Sequence, residues 1–519
     1  MNSLPTEVDY IVVGAGSAGC VLAARLSADP ATTVLLLEGG SRLDDEAMQV
    51  PGRAPYLWAG DSVYENLTTP QRELGGRQIP LATGRGLGGG SSVNGLGWFH
   101  GHPEDYDGWA ARGATGWGWS DLSPYLRRIE DHEFGAGPYH GAGGPIAVHT
   151  PYHLHQMSAR FIAAGAHLGW PVSADLNGAD RIGFGLVQSN IRDGVRHSVV
   201  DGYLTPALGR ANLDVRADQP VHGLIIDGSR VVGVDCGTAQ VRARRAVLLC
   251  AGAIGTPRLL LLSGIGPRDE LAELGIPVVA DVPGVGRNLH DHPLVRLAWP
   301  VRDAAALRGS LSDDPEDLYR TIRRGPLSAL GQAVAALRTN PLLTAPDLHL
   351  APTLVGADGG APGPVEPALL CLVSLLTPAS RGSVTLKSSK SIDPPVVDAG
   401  YLTAPEDRQR LRVGLRMALK VFSVDSLAEA IGAAAVSPES SDDELDACIS
   451  ETLSPYWHPV GTAKIGTDAD AVVDPTLAVH GLDGLRIVDA SVMPTIPRAN
   501  TQASVIALAE RAADLIADQ

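Results

Sequence analysis

The chain of 519 residues is poor in cysteine, in basic side chains and in long apolar runs. Its five cysteines, Cys20, Cys236, Cys250, Cys371 and Cys448, are scattered and odd in number. That usage excludes a disulfide framework and fits buried thiols in a reducing compartment. A CxxCH haem-attachment motif is absent. The apolar stretch ALLCLVSLL at 368–376 is too short to span a bilayer and is closed by Thr377 and Pro378. The opening MNSLPTEVDY has neither the basic start nor the apolar core of an export signal, so the expectation is a soluble, cytoplasmic protein. Lysine and arginine total 41 against 58 acidic residues, a net charge of −17. Nucleic acid and anionic membrane surfaces, which need clustered cations, are therefore not expected partners. Repeats and low-complexity tracts are also lacking.

What is present describes a packed protein: 44% hydrophobic residues, 19% charged and eight tryptophans. The length exceeds what one core usually holds, so two domains are expected. VDYIVVGAGSAGCVLAARL, residues 8–26, reads as a buried parallel strand, a glycine turn and a helix, and TVLLLE at 33–38 as a second buried strand. Gly14 permits the tight turn, Gly16 lets backbone approach a pyrophosphate, and Gly19 lets helix pack on strand. Phosphates would face the free N–H groups at the helix start. Glu38 ends the second strand, where a carboxylate can accept hydrogen bonds from a ribose diol. This unit binds a dinucleotide, and by itself does not choose between FAD and NAD.

A second glycine cluster, GRGLGGGSSVNGLGWFHG at 84–101, is too rich in glycine for a helix or an ordinary strand. Its Arg85, Val93, Asn94, Trp98 and Phe99 set it apart from a flexible linker. Followed by HPEDYD, it resembles the first signature of the glucose–methanol–choline oxidoreductases, and GAIGTPRLLLLSGIG at 252–266 resembles their second. HPVGTAKIG (458–466), VVDPTLAVHGLDGLRIVDASVMP (472–494) and RANTQASVIALAE (498–510) extend the resemblance to the C-terminus. It implies FAD rather than NAD. It also implies an α/β, Rossmann-like FAD-binding domain interleaved with an α+β substrate domain built on an antiparallel sheet that roofs the flavin. The expected division is 1–130, 195–300 and 455–519 for FAD binding, with 131–194 and 301–454 for substrate.

Independently, 244–266 reads as strand, glycine turn and helix, and 484–492 as a strand ending in Asp489. The segments 369–378, 380–388 and 394–400 read as strands, 356–367 as a Pro-Gly loop, and Ser441 as the cap of a helix. The resemblance implies that Asp489 and Ala490 contact the FAD diphosphate and ribityl region and that Val221 offers backbone to the adenine. For Asp489 a helix N-cap is the other reading. Ser17, Arg85, Gly90, Ser91, Asn94, Gly95, Trp457, Thr501 and Gln502 complete the implied cofactor contacts. Where some relatives attach FAD covalently through a histidine, this chain has Val93, so non-covalent FAD is expected.

Histidine suits proton transfer near neutral pH, and the family motif implies that His458 is the base for an alcohol hydroxyl. Asn500 stands where the family carries histidine or asparagine and can hold the substrate oxygen toward that base. A helix beginning near Thr501 would set its N-terminus against negative charge on the reduced flavin. Tyr456 and Trp457 beside the base suit an aromatic or otherwise apolar alcohol. Metal is not expected: the histidine pairs at 100–102, 153–155 and 290–292 lack a third ligand. His100 stands where the family often has arginine, and Tyr456 where resembling oxidases commonly have a small apolar residue.

The reading that results is oxidation of a primary alcohol to an aldehyde. RIEDHEFG and NIRDGVRHS are similar to segments of bacterial pyridoxine and aryl- or furfuryl-alcohol oxidases. Without a membrane anchor or haem motif, oxygen or another soluble acceptor is favoured. The alternatives are a dehydrogenase using a non-oxygen acceptor and a hydroxynitrile-lyase-like enzyme that binds FAD without net redox chemistry.

Overall fold

A computed structural model describes residues 3–42, 45–302, 315–355 and 368–518. The expected loop at 356–367 lies outside these residues. The first strand, Glu7–Val13, pairs in parallel with Val34–Leu37 on one side and with Gln240–Leu249 on the other. Leu213–Arg216 extends the sheet beyond Val34–Leu37, and Leu485–Ile487 lies parallel to the end of Gln240–Leu249. An antiparallel hairpin, Gly223–Asp227 and Arg230–Asp235, joins the start of Gln240–Leu249. Helices cover the central strands, which is why YIVV and VLLL are continuous apolar runs. Three distant stretches of sequence thus build one mixed sheet whose central strands are parallel.

The second sheet has six strands in the order Ser454–Pro455, Pro293–Pro300, Ala368–Leu375, Leu348–Val355, Ala333–Leu337 and Gly183–Leu186. Every pairing is antiparallel. Alternate residues Leu369, Cys371 and Val373 are buried in a core that includes Leu411, Leu415 and Ala418 of the helix Pro405–Phe422. The intervening Leu370 and Leu372 face a cavity beneath the sheet. Period-2 burial is the expected mark of a sheet with one packed face. Pro293–Pro300 belongs to this sheet although it precedes residue 300, and we place the passage between the two parts of the chain near His292.

Two expectations for local structure are adjusted. Ser383–Thr385 and Val396–Asp398 form a two-stranded ribbon outside the main sheet, with Val397 also bridging Thr68. The strand expected to reach Asp489 stops at Ile487, and Asp489 caps a short 3-10 turn, Ala490–Val492. Ser441 caps the helix Asp442–Thr452 through a reciprocal bond with Glu444. All five cysteines are free. No helix among the described residues is long and apolar enough to cross a membrane.

Candidate active site

A cavity of about 1100 Å³ runs from the glycine turn of the first sheet to the underside of the second. Gly14 adopts φ +101°, and a Cβ there would lie 2.5 Å from Cys250 O. Gly19 is packed, since a Cβ would meet Gly14 O at 1.9 Å. Gly16 differs: its nearest neighbour would be 4.0 Å away, and Gly90 and Gly252 would meet nothing within 4 Å. These three positions open onto the cavity and form a cradle that close-lying atoms of a ligand can fill. The helices Ser17–Leu26 and Thr501–Ala517 both begin at the cavity without a side-chain cap, leaving N–H groups for an anion.

Most of the expected cofactor residues line this space: Gly14, Gly16, Ser17, Glu38, Gly90, Asn94, Gly95, Val221, Trp457, Asp489, Ala490, Thr501 and Gln502. Three do not. Gly19 serves helix packing, Ser91 accepts a hydrogen bond from Val199 N, and Arg85 lies over the Tyr64 ring. Glu38 accepts from Ala15 N, Gly40 N and Gly86 N at 2.9, 2.8 and 3.2 Å, tying the first glycine turn to the second cluster. Burial raises its carboxyl above the usual range. Asp489 accepts from Gly252 N, Thr256 Oγ1 and Ser491 N, so it holds the 252 turn as well as capping its own. The Asn94 amide donates to Gln502 Oε1 and accepts from Arg196 at 2.7 Å.

At the other end of the cavity His458, Asn500, Tyr456 and Trp457 meet. Trp457 takes φ +58°, a strained value for a bulky residue, and packs against Trp58 at 5.3 Å between ring centroids. The backbone N–H of His458 donates to Asp291 Oδ1 at 2.7 Å, and Asp291 accepts Tyr401 Oη at 2.7 Å. The Tyr456 ring lies 4.6 Å from the His458 ring.

The hydrogen bonds around His458 fix its tautomer. His292 Nε2 is 3.0 Å from Leu376 O and 3.1 Å from Pro497 O. Carbonyl oxygens only accept, so His292 Nε2 carries the proton. Burial keeps His292 neutral, with its pKa well below 6.5, so its Nδ1 is a lone pair. That lone pair is 3.0 Å from His458 Nδ1, which must donate to it. Burial, with His349 nearby, holds His458 at about 3, so its ring is neutral and Nε2 is bare. Asn500 Nδ2 donates to this Nε2 at 3.2 Å. The site therefore presents a lone pair and an amide donor side by side.

The other histidines have separate duties. His102 and His155 cap helices, and His100 bonds Glu130 at 2.6 Å within a buried group that includes His140 and Asp175. Among the described residues no group of three or more histidine, cysteine or carboxylate side chains is arranged to hold a metal ion. Sequence reasoning missed His292, Asp291, Tyr401 and His349. HDH at 290–292 was visible as a histidine pair, yet nothing in it signalled contact with a loop 166 residues away. Tyr401 and His349 carried no signal.

A nucleotide cradle joined to a histidine–asparagine pair defines a cofactor-dependent oxidoreductase. The chain belongs to the GMC oxidoreductases: that family's model matches residues 8–294, and its C-terminal model matches 378–509. An uncharacterised GMC-type oxidoreductase of Mycobacterium tuberculosis is 38% identical over 99% of this chain and 100% of its own. Human mitochondrial choline dehydrogenase is 36% identical over 99% and 90%. The crystal structure of pyridoxine 4-oxidase from Mesorbium loti superposes with a TM-score of 0.89 at 33% identity, covering 99% of each chain. The protein is an FAD-dependent alcohol oxidoreductase.

Gly16→Val should leave the fold intact and abolish FAD retention, whereas Gly19→Ala should lower the melting temperature through its clash with Gly14. Flavin absorbance and thermal melts of both variants separate the two. The depressed histidines set the pH response. Above pH 6.5 they are neutral whether the chain is folded or not. As pH falls further, the unfolded chain takes up protons that His290 and His458 refuse until about 3 and His349 until about 4. Stability should decline from pH 6.5 downward. The flavin-reduction rate should show no inflection at 6.5, because the base stays unprotonated; stopped-flow reduction from pH 8 to 5.5 measures it.

Proposed function

We propose that the protein oxidises a primary alcohol on an aromatic or otherwise apolar body to the aldehyde, with non-covalently bound FAD. The observation that carries this reading is the bare Nε2 of His458 beside the donor Nδ2 of Asn500. Bound FAD supplies a hydride acceptor at N5. Gly16 and Ser17, with the helix they open, would hold its diphosphate, Glu38 its ribose and Val221 its adenine. Asn94, Gly95, Ala490, Thr501 and Gln502 would surround the flavin. Val93, preceding Asn94, offers no atom for covalent attachment.

His458 Nε2 takes the hydroxyl proton as the C–H hydride leaves, and the Asn500 amide donates to the oxygen that bears the developing charge. Its Oδ1, buried and without a partner, is a further acceptor for orienting the alcohol. Asp291 and Tyr401 hold the strained turn at Trp457 and so aim the imidazole. Phe99, Leu294, Leu370 and Leu372 give the pocket an apolar surface that excludes water from the reacting atoms. The similarity to pyridoxine 4-oxidase supports an alcohol carried on an aromatic ring and oxygen as acceptor.

An anaerobic screen of primary alcohols should bleach the bound flavin, and acid should release it free. A lyase would leave the flavin yellow with every substrate, and that result would refute the proposal. His458→Ala should retain FAD and slow reduction by about two to four orders of magnitude, the usual loss on removing a general base.

Tyr456 decides how oxygen enters. Its ring lies on His458 and lines the cavity, so Tyr456→Val should enlarge the space beside the flavin. The variant should be re-oxidised by air-saturated buffer faster than the wild type, with anaerobic reduction little changed. A changed alcohol preference with unaltered re-oxidation would assign the ring to the substrate pocket.

A further inference from the structure

Five charged side chains line the cavity: Glu38, Glu65, Arg258, Arg296 and Asp489. Four are occupied. Glu38 and Asp489 accept the backbone and hydroxyl bonds described above, Glu65 accepts from Gly60 N at 3.0 Å, and Arg258 donates to Ser391 O and Asp393 O. Arg296 has no hydrogen bond, ion pair or ring contact among the described residues. The charged group that acts on it is another cation, Arg77, whose own guanidinium is taken up by Ser450 O and Leu453 O at 2.6 and 3.1 Å. Arg296 is exposed to the open cavity, and desolvation by the surrounding wall, with Arg77 adding to it, holds its guanidinium below the usual arginine range.

Its position follows from the strand. In Pro293–Pro300, Val295 and Leu297 point into the core at 0% and 2% exposure, while Leu294 and Arg296 line the cavity. Arg296 is level with Leu372, which is level with Ala351 in the next strand. The guanidinium therefore stands in a wall of Leu294, Leu370, Leu372 and Ala351. A cation that faces the cavity without a protein partner has an anion as its complement, the more so once a ligand displaces water from the apolar wall; a guanidinium fork matches a carboxylate in two parallel bonds. The same cation opposes a positively charged alcohol.

We propose that the alcohol substrate carries a carboxylate at the end remote from its carbinol, and that Arg296 binds it. Arg296 is four residues along the strand from His292, about 13 Å at a rise of roughly 3.3 Å per residue. His458 and Arg296 both line the cavity, so the carbinol and the anionic end of one substrate can occupy separate places in it. This inference rests on the alcohol-oxidising reading above and adds the charge of the substrate to it.

The test uses the FAD-loaded enzyme and three probes: 4-methylbenzoate, which has no carbinol, 4-(hydroxymethyl)benzoate, and uncharged 4-methylbenzyl alcohol. 4-Methylbenzoate should perturb the visible flavin spectrum on titration. Its Kd should weaken by about tenfold or more in Arg296→Ala and in the isosteric Arg296→Gln, the range expected for losing a charge-assisted hydrogen bond. In wild type, 4-(hydroxymethyl)benzoate should half-saturate anaerobic reduction at lower concentration than 4-methylbenzyl alcohol. Both variants should lose that preference. Equal use of the two alcohols, or 4-methylbenzoate binding that ignores both substitutions, would overturn the inference while leaving alcohol oxidation standing. Arg296-dependent binding of 4-methylbenzoate without bleaching by any alcohol would instead overturn the oxidation reading and retain the anion site.

Discussion

The chemistry depends on one N–H group. His292 Nε2 is held between two carbonyl oxygens in a pocket too dry to ionise the ring, and from that fixed proton the direction of each further bond follows. His292 must accept, His458 must donate from Nδ1, and the lone pair on His458 Nε2 must face Asn500. A histidine whose tautomer were free would spend part of its time with a proton where the base is needed. Burial does the rest by keeping the imidazole neutral, at the cost of stability in acid.

The fold serves this arrangement by bringing two sheets to one cavity. The mixed sheet contributes glycine turns and two uncapped helix ends, all at the edge where its parallel strands finish. The antiparallel sheet spends one face on a core and turns the other toward the ligand space. The proposed base lies where the chain passes between them: His292 precedes the strand Pro293–Pro300, and His458 follows Ser454–Pro455, its short neighbour. Those adjacent strand ends bring the two imidazoles within 3.0 Å.

The parts legible in sequence are those whose physics is local. The strand–turn–helix at the N-terminus, the role of Gly14, the helix after Asn500 and the Ser441 cap each follow from a few neighbouring residues. The apolar run at 368–376, closed by Thr377 and Pro378, read as a strand for the same reason. What escaped depends on contacts between remote segments. Asp291 and Tyr401 are 110 residues apart, and Asp291 is 167 residues from His458. Arg85 and Ser91 sit in the right motif yet do not line the cavity: Arg85 lies over the Tyr64 ring, and Ser91 accepts from Val199 N. Asp489 met its capping reading, and the same carboxylate has lone pairs enough to tie down Gly252 as well.

The central claim is the proton arrangement at His458, and nitrogen NMR reads it directly. In FAD-loaded enzyme labelled with ¹⁵N at histidine, with His458→Gln used to assign the signals, the account predicts that at pH 7 His458 carries its proton on Nδ1 and leaves Nε2 unprotonated. A His458 protonated on Nε2, or on both nitrogens, would contradict it.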